Sequence, residues 1–235
     1  MCRSRNRRFV ANGLRLYGYV KWLCMQWPIL LEWLAQMTSL YSRMPFGELV
    51  ANVRQCRICE AQLPLGPRPV IQISQSARLL VVGQAPGRRV HDTGLPFNDP
   101  SGDRLRNWMG IDRDTFYDEQ QLAILPMGFC YPGTGKNGDL PPRPECAPAW
   151  RGLLLERLEH VELTLVIGQY AHAWHLPGAK TSVTERVRQW REVWPTMLPL
   201  PHPSPRNNLW LRRNPWFEQE VIPELRRRVK DILDD

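Results

Sequence analysis

Four short apolar runs, each ending at glycine, proline or a polar turn, constrain the fold of this chain most strongly. They do not alternate apolar with polar residues, which is typical of strands buried on both faces. Helical periodicity between the runs predicts an α/β fold with a mostly parallel central sheet flanked by helices. The predicted strands are residues 78–84, 122–127, 163–168 and 197–200; the predicted helices are residues 101–109 (capped by Ser101 and stopped by Gly110), 149–158, 181–193 and a C-terminal helix starting at Asn214-Pro215.

The net charge of +8 is distributed unevenly along the 235 residues. Residues 1–43 hold seven of the 31 basic side chains and one of the 23 acidic ones, so the remainder is close to neutral. Overall charge therefore does not identify a partner, and a polyanion site in the remainder must be a local patch.

Residues 1–43 are rich in arginine and aromatic side chains, and we expect the folded domain to span residues 44–235. The segment could be a signal peptide, a membrane-surface helix or a poorly ordered extension from an upstream start codon. We favour the extension, because Glu32 follows the apolar stretch at once and Pro28 interrupts a helix. The two longest charge-free stretches here, residues 22–31 and 33–42, are each ten residues long. A membrane span needs about 20 apolar residues, so we predict no membrane partner.

Two loops containing glycine and proline follow the first and last predicted strands. Residues 83–87 (GQAPG) allow a tight turn in which main-chain N–H groups face a ligand. Residues 202–207 (HPSPRN) contain alternating prolines, which stiffen the chain around His202. Taken separately, each loop could be an ordinary turn. Because ligands of open α/β sheets bind beyond the carboxyl ends of the strands, we expect the two loops to meet there.

Together these loops resemble the Gly-x-x-Pro and His-Pro-Ser motifs of the uracil-DNA glycosylase superfamily. Residues 93–102 (TGLPFNDPSG) are similar to the TG-x-PF segment of that family, and the resemblance extends from about Cys56 to the C-terminus. It implies a three-layer α/β/α domain that extrudes a base from DNA and hydrolyses its N-glycosidic bond. We therefore predict a DNA base-excision glycosylase that removes a deaminated base, uracil first. We expect a monomer in the cytoplasm.

The resemblance also implies roles for individual residues. His202 would stabilise the departing anionic base, together with the main-chain N–H groups of Gln84 and Ala85. Phe97 would stack on the base. The residues implied to bind the base are Pro86, Gly87 and Asn98. Those implied to contact DNA are Ser204, Arg206 and Asn207. Of these, Ser204 would contact a phosphate, and Arg206 would insert into the duplex where the base has left.

Four cysteines fall into two groups, Cys56 and Cys59 in a C-x2-C, and Cys130 and Cys146 around a proline-rich segment of fifteen residues. Four thiolates can bind Zn²⁺ tetrahedrally or an iron–sulfur cluster, and spacing alone does not choose between them. The thermostable, iron–sulfur type of uracil-DNA glycosylase is similar in this arrangement. The resemblance thus implies a 4Fe–4S cluster with a structural role, and zinc is the alternative.

The chain departs from the family where water would be activated and the base read. Ala85 stands where the best-known enzymes have Asp, and Gln84 stands where the iron–sulfur type has Glu. Pro126 stands where the iron–sulfur type has an Asn that reads uracil, and Asn98 is the candidate to replace it. The candidates to position water are His91, Asp92 and Asp99.

These departures favour an alternative from another class, a non-catalytic nucleic-acid-binding or structural member of the same fold. This alternative predicts salt-dependent DNA binding without product. A weaker third hypothesis is a hydrolase of free nucleotides or nucleosides. The near-neutral charge after residue 43 favours it, and the wedge-like loop of Arg206 opposes it.

Overall fold

The computed structural model describes Tyr41 and residues 44–136, 138–176, 178 and 181–234. The predicted extension, residues 1–43, lies outside the described residues except for Tyr41, so the domain boundary stays a prediction. Within the described ranges, no helix combines the length and the apolar character that crossing a membrane requires.

The described residues form six short strands, and four of them lie at the predicted positions. They are β1 (Leu79–Val82), β2 (Leu122–Ile124), β3 (Thr134–Gly135), β4 (Gly138–Asp139), β5 (Leu163–Ile167) and β6 (Met197–Leu200). Four of these build one sheet in the order β2-β1-β5-β6, and every neighbouring pair in it is parallel. The predicted parallel sheet is therefore confirmed.

Helices cover the connections between the strands. They are α1 (Phe46–Arg54), α2 (Arg88–Thr93), α3 (Pro100–Met109), α4 (Arg113–Tyr117), α5 (Gly152–Leu155), α6 (Gly168–His175), α7 (Val183–Arg188), α8 (Asn208–Arg213) and α9 (Ile222–Asp234), with π-helical turns at Ala147–Arg151 and Phe217–Val221. The helix predicted over residues 181–193 is shorter. A capping box of Ser182 and Glu185 sets its start, and beyond Arg188 the chain continues as a 3-10 turn, Trp190–Glu192.

The start of α3 differs from the prediction. Asp99, rather than Ser101, is the N-cap residue, and its Oδ1 accepts a hydrogen bond from the Gly102 N–H at 2.9 Å. Pro100 occupies the first position of the helix, where a missing N–H costs nothing. The helix stops at Gly110, whose φ of 72° is the left-handed conformation that glycine allows, as predicted.

Alternate residues of β1 enter two cores on opposite faces of the sheet. Leu79 and Val81 pack with side chains of α3 and α9, whereas Leu80 and Val82 pack with side chains of α1 and residues 147–158. All four are buried. Each face of the sheet is thus covered by helices, which confirms the predicted three-layer α/β/α architecture.

The strands β3 and β4 form an antiparallel hairpin that the sequence analysis did not predict. Thr134 pairs with Asp139, and Gly135 pairs with Gly138. The Leu140 N–H donates to the Gly133 carbonyl at 2.8 Å and extends the hairpin by one bond. This hairpin lies within the loop that joins Cys130 to Cys146.

Candidate active site and cysteine cavity

The loops after β1 and β6 leave the sheet at the same edge, because the strands of this sheet run parallel. Residues 83–87 follow β1 directly, and residues 202–207 follow β6 after Pro201. With Phe97, Asp99 and Asp139, described below, these two loops make up what we call the loop site.

Phe97 packs on the first loop of the loop site. A methyl group built on Gly83 would lie 3.3 Å from Phe97 Cζ, so the ring rests against the Gly83 backbone. Phe97 has a φ of 52°, a left-handed conformation that is unusual for a non-glycine residue. A side chain at Gly102 would collide with the Phe97 carbonyl oxygen, which explains the glycine in the first turn of α3.

Arg104 of α3 holds the His202 loop in place. Its NH1 donates to the Ser204 carbonyl at 3.0 Å, and its NH2 donates to Asn208 Oδ1 at 2.7 Å. The segment that carries Phe97 is thereby tied to the segment that carries His202. The sequence analysis missed Arg104, since nothing local marks a contact between residues 100 positions apart.

The hydrogen bonds around His202 fix which ring nitrogen is the donor. The Ser204 main-chain N–H donates to His202 Nδ1 at 3.2 Å, and Asn207 Nδ2 donates to the His202 carbonyl at 2.7 Å. Because Nδ1 accepts a hydrogen bond, the neutral imidazole carries its hydrogen on Nε2. Nε2 is therefore the atom that can donate to a ligand.

Burial lowers the pKa of His202 below its usual value, and the nearby carboxylates of Asp99 and Asp139 oppose that effect. The ring is consequently neutral at pH 7. A neutral donor suits an anion that forms during a reaction, because the ring need not give up a proton to act.

The β3–β4 hairpin closes one side of the loop site. Gln84 Nε2 donates to the Leu140 carbonyl at 3.1 Å, and a methyl group built on Gly87 would lie 3.3 Å from Asp139 Oδ2. From the other side, the Arg206 guanidinium lies over the Gly138 backbone. The hairpin thus contacts the loop after β1 and the loop after β6, and brings an acidic side chain to both.

The other predicted site residues lie on the same loops. Ser204 Oγ accepts from the Arg206 main-chain N–H at 3.3 Å, and the Arg206 side chain is exposed. Asn98 Oδ1 accepts from Arg113 NH2 at 3.1 Å, so its amide is engaged next to Phe97. Ala85 and Gly87 are half-buried and Pro86 is buried. The roles of these residues stay predictions.

The segment that contains Pro126 runs beside the first loop. The Met127 N–H donates to the Gly83 carbonyl and the Gly128 N–H to the Gln84 carbonyl, each at 2.9 Å. Pro126 therefore lies next to residues 83–84, and its own carbonyl accepts from buried Arg151.

Four free thiols line a single cavity on the cysteine side of the molecule. The lining residues are Cys56, Ile58, Cys59, Leu63, Pro69, Gly128, Phe129, Cys130, Arg143 and Cys146. Trp150 Nε1 lies 3.2 Å from Cys56 Sγ, and the Phe129 N–H donates to Cys146 Sγ at 3.3 Å. Two cysteines that follow α1 and two from the later loop therefore line the same cavity, and their role as ligands stays a prediction.

Burial disfavours the charged form of three of these thiols, those of Cys59, Cys130 and Cys146. It raises the pKa of Cys130 to about 11 and that of Cys146 to about 12, and it raises the pKa of Cys59 with a further contribution from Glu145. Without a positive charge between them, these cysteines stay protonated at pH 7. The cavity would become a set of thiolates only in the presence of a bound metal centre.

Among the described residues, no group of three or more His, Cys, Asp or Glu side chains is arranged to hold a metal ion. The four thiols instead surround a cavity with apolar walls, including Ile58, Leu63 and Phe129. Four thiols are donors that suit a sulfur-ligated cluster and equally suit a single tetrahedral zinc ion, so the donor set does not choose between them.

The fold and the loop site define a class of protein. A sequence profile described as the uracil DNA glycosylase superfamily matches residues 71–226, which is more than half of the chain, and the chain belongs to this superfamily. It is similar to a type-4 uracil-DNA glycosylase from Thermotoga maritima, with 27% identity over 171 residues that cover 70% of this chain and 85% of that protein. Both findings confirm the resemblance drawn from the motifs.

Proposed function

We propose that this protein is a DNA glycosylase that hydrolyses the N-glycosidic bond of a deaminated base, uracil first, after the base has been flipped out of DNA. The observation that carries the proposal is the hydrogen bonding of His202, which leaves a neutral Nε2–H as a donor at the sheet edge from which both family-motif loops leave. Family membership and the type-4 relative support the same activity.

The contribution of His202 follows from where charge develops. As the bond between the sugar and the base breaks, negative charge builds up on the departing base, and a preorganised donor at its carbonyl oxygen lowers the barrier. The Ser204 and Asn207 hydrogen bonds fix the imidazole before substrate binds. Main-chain N–H groups of Gln84 and Ala85 would add donors beside the same base.

Phe97 and the loop around Arg206 would hold the substrate. The Phe97 ring, set against the Gly83 backbone, offers a flat surface on which a flipped base can stack. Arg206 is exposed at the far end of the His202 loop, where it could enter the gap left by the base. Ser204 and Asn207 would contact the DNA backbone, which positions the duplex without reading its sequence.

Cys56, Cys59, Cys130 and Cys146 would hold a 4Fe–4S cluster. Their convergence on one cavity and the type-4 relative support this assignment. The cluster would supply structural cross-linking, joining the segment after α1 to the loop that carries the β3–β4 hairpin. A brown preparation with about four iron and four sulfide per chain is expected; a colourless protein with one zinc would favour the alternative.

A non-catalytic DNA-binding function is the second candidate, and one observation favours it. Gln84, Ala85 and Pro126 replace the carboxylates and the base-reading amide of the family at positions that lie side by side in the structure. It predicts DNA binding that weakens with salt and releases no base.

One experiment separates the two candidates. Purified protein is incubated with single- and double-stranded oligonucleotides containing uracil, hypoxanthine or xanthine, and abasic sites are cleaved with alkali. We expect strand scission at uracil, and a decrease of about 10²–10³-fold in His202→Ala, because a preorganised donor to the anion is lost.

The exposed His160 provides the matched control. His160→Ala should retain the rate of the unmodified protein. Absence of scission with every base and strand type, alongside salt-sensitive binding, would reject the glycosylase and leave the binding function.

A further inference from the structure

A glycosylase that uses water needs an acceptor to position it, and the usual positions here lack one. Gln84 and Ala85 stand where the family has its carboxylates. A primary amide is a weak base, and a methyl group has no acceptor at all. If the proposed function holds, a carboxylate from elsewhere in the chain must reach the loop site.

Two carboxylates lie close enough to His202 to act on the charge of its ring, those of Asp99 and Asp139. Asp99 is already engaged, because its Oδ1 caps α3 by accepting from the Gly102 N–H. The other two sequence candidates have different roles. Asp92 is paired with Arg88, and His91 is buried against Tyr131.

Asp139 reaches both loops of the site. Its Oδ2 lies 3.3 Å from the position of a methyl group on Gly87, and its charge is felt by His202. The other oxygen, Oδ1, accepts from the Thr134 hydroxyl at 3.2 Å, and Thr134 is in turn hydrogen-bonded to the Tyr131 hydroxyl. One carboxylate oxygen is thereby oriented by the hairpin, while the other faces the glycine-bounded loop.

We infer that Asp139 is the water-positioning carboxylate of this protein and takes the place of the missing family acid. The inference rests on the proposed function. The carboxylate comes from the β3–β4 hairpin rather than from the loop after β1, and Gly87 leaves the space that it occupies. The Gln84 bond to the Leu140 carbonyl holds the hairpin against that loop.

The chemistry balances with water as the only co-reactant. The bond between C1′ and the base nitrogen breaks, and its electron pair leaves with the base, whose anion accepts a hydrogen bond from His202 Nε2. The water oxygen bonds to C1′, and its proton passes to the Asp139 carboxylate and then to solvent. The products are the free base, protonated by solvent, and an abasic sugar.

The test measures single-turnover release of uracil with protein in excess, for the unmodified chain and for Asp139→Asn. We expect the maximal rate to fall by about 10²-fold or more, as for loss of a general base. The dissociation constant for uracil-containing DNA should not rise, since removing a negative charge does not weaken DNA binding. Asp139→Glu should recover part of the rate, which a merely structural role would not produce.

Two further variants serve as comparisons. Asp99→Asn keeps the cap, because asparagine caps helices as well as aspartate does, and it tests the other carboxylate near His202. Asp114→Asn, on exposed α4, should match the unmodified chain. Circular dichroism and melting temperature, compared among all variants, identify any variant that has not folded.

The outcomes separate the two proposals. If the unmodified chain releases uracil and His202→Ala does not, but Asp139→Asn keeps the full rate, the role of Asp139 is overturned and the glycosylase stands. A loss confined to Asp99→Asn likewise overturns it and moves the role to Asp99. If the unmodified chain releases no base, the proposed function fails, and the inference fails with it.

Discussion

The loop site and the cysteine cavity are held together in different ways. In the loop site, neutral and charged side chains bond to main-chain groups of neighbouring loops, as Arg104 does to Ser204 and Gln84 to Leu140. The cysteine cavity instead buries thiols whose pKa values are raised by that burial. The first region is joined by hydrogen bonds between its own residues, whereas the second would gain its cross-link from the cluster proposed above.

This difference separates catalysis from stability in the molecule. A change in the loop site should alter reaction rate while leaving the fold intact, because its residues lie on loops at the edge of the sheet. A change at the cysteines should alter the fold, because a metal centre that joins distant segments contributes to folding free energy.

The largest expected effect is that of Cys146→Ser. Loss of one ligand should remove iron and sulfide from the purified protein and lower the melting temperature by about 10 °C or more. His202→Ala, in the loop site, should leave the melting temperature and the visible absorbance unchanged. Equal melting temperatures for Cys146→Ser and the unmodified chain would contradict the expectation that the cysteines contribute to stability.

Buried histidines on the cysteine side should make stability depend on pH. Burial lowers the pKa of His172 to about 4 and that of His175 to about 3, and His175 Nε2 accepts from Arg151 NH2. In the unfolded chain the pKa of histidine is about 6.5. Below that pH the unfolded chain therefore binds more protons than the folded protein. Stability should therefore fall as the pH drops from about 6.5 towards about 4, by up to about 1.4 kcal/mol per pH unit for each histidine.

Urea unfolding at pH 7, 6 and 5 measures this slope. His175→Gln should make it shallower, because the glutamine carbonyl still accepts from Arg151 and does not titrate. His160→Gln, on the exposed surface, should leave the slope unchanged. If the slope is equally steep in His175→Gln, the pH dependence of stability does not come from His175.

A pair of glycine variants compares the packing beside Phe97 with an open position on a helix. Gly102→Ala places a methyl group against the Phe97 carbonyl and should cost about 1–3 kcal/mol of unfolding free energy. Gly152→Ala lies in α5 with open space around it, so it should stabilise the protein by about 0.5–1 kcal/mol. Chemical denaturation measures both, and a similar sign for the two would contradict the packing described for Phe97.

Arg104→Ala should have a smaller effect on the rate of base release than His202→Ala. Loss of its bonds to Ser204 and Asn208 should lower single-turnover base release by about 10-fold, corresponding to about 1.4 kcal/mol, because the His202 loop is no longer fixed. The melting temperature should change little. Arg54→Ala, at the end of α1, is the matched loss of an arginine and should leave the rate unaltered.

Much of the fold could be predicted because its signals are local. Apolar runs gave the four strands of the parallel sheet, and glycine gave the end of α3 at Gly110. The N-cap was placed wrongly at Ser101, because Asp99-Pro100-Ser101 offers two capping side chains within three residues. Only the observed bond from Gly102 to Asp99 decides between them.

The site was predictable where residues stand in recognisable motifs, and not where they meet through the fold. His202, Phe97 and the cysteines belong to such motifs. Asp139 follows residues 135–138 (GKNG), which indicate a turn but not what the turn approaches. Asp139 lies close to Gly87 because of the path that the whole loop takes, and the spacing of residues in the sequence does not predict that path.

The loop from Cys130 to Cys146 starts and finishes at one cavity, and its interior lies against the loop site. Such a loop can change in length or composition between its two anchors without disturbing the sheet. Exchanging residues 131–145 between related chains should therefore change the position of the acidic side chain while the sheet and its helices stay the same. Under the role inferred for Asp139, the placement of the acid then becomes a property that one exchangeable segment carries.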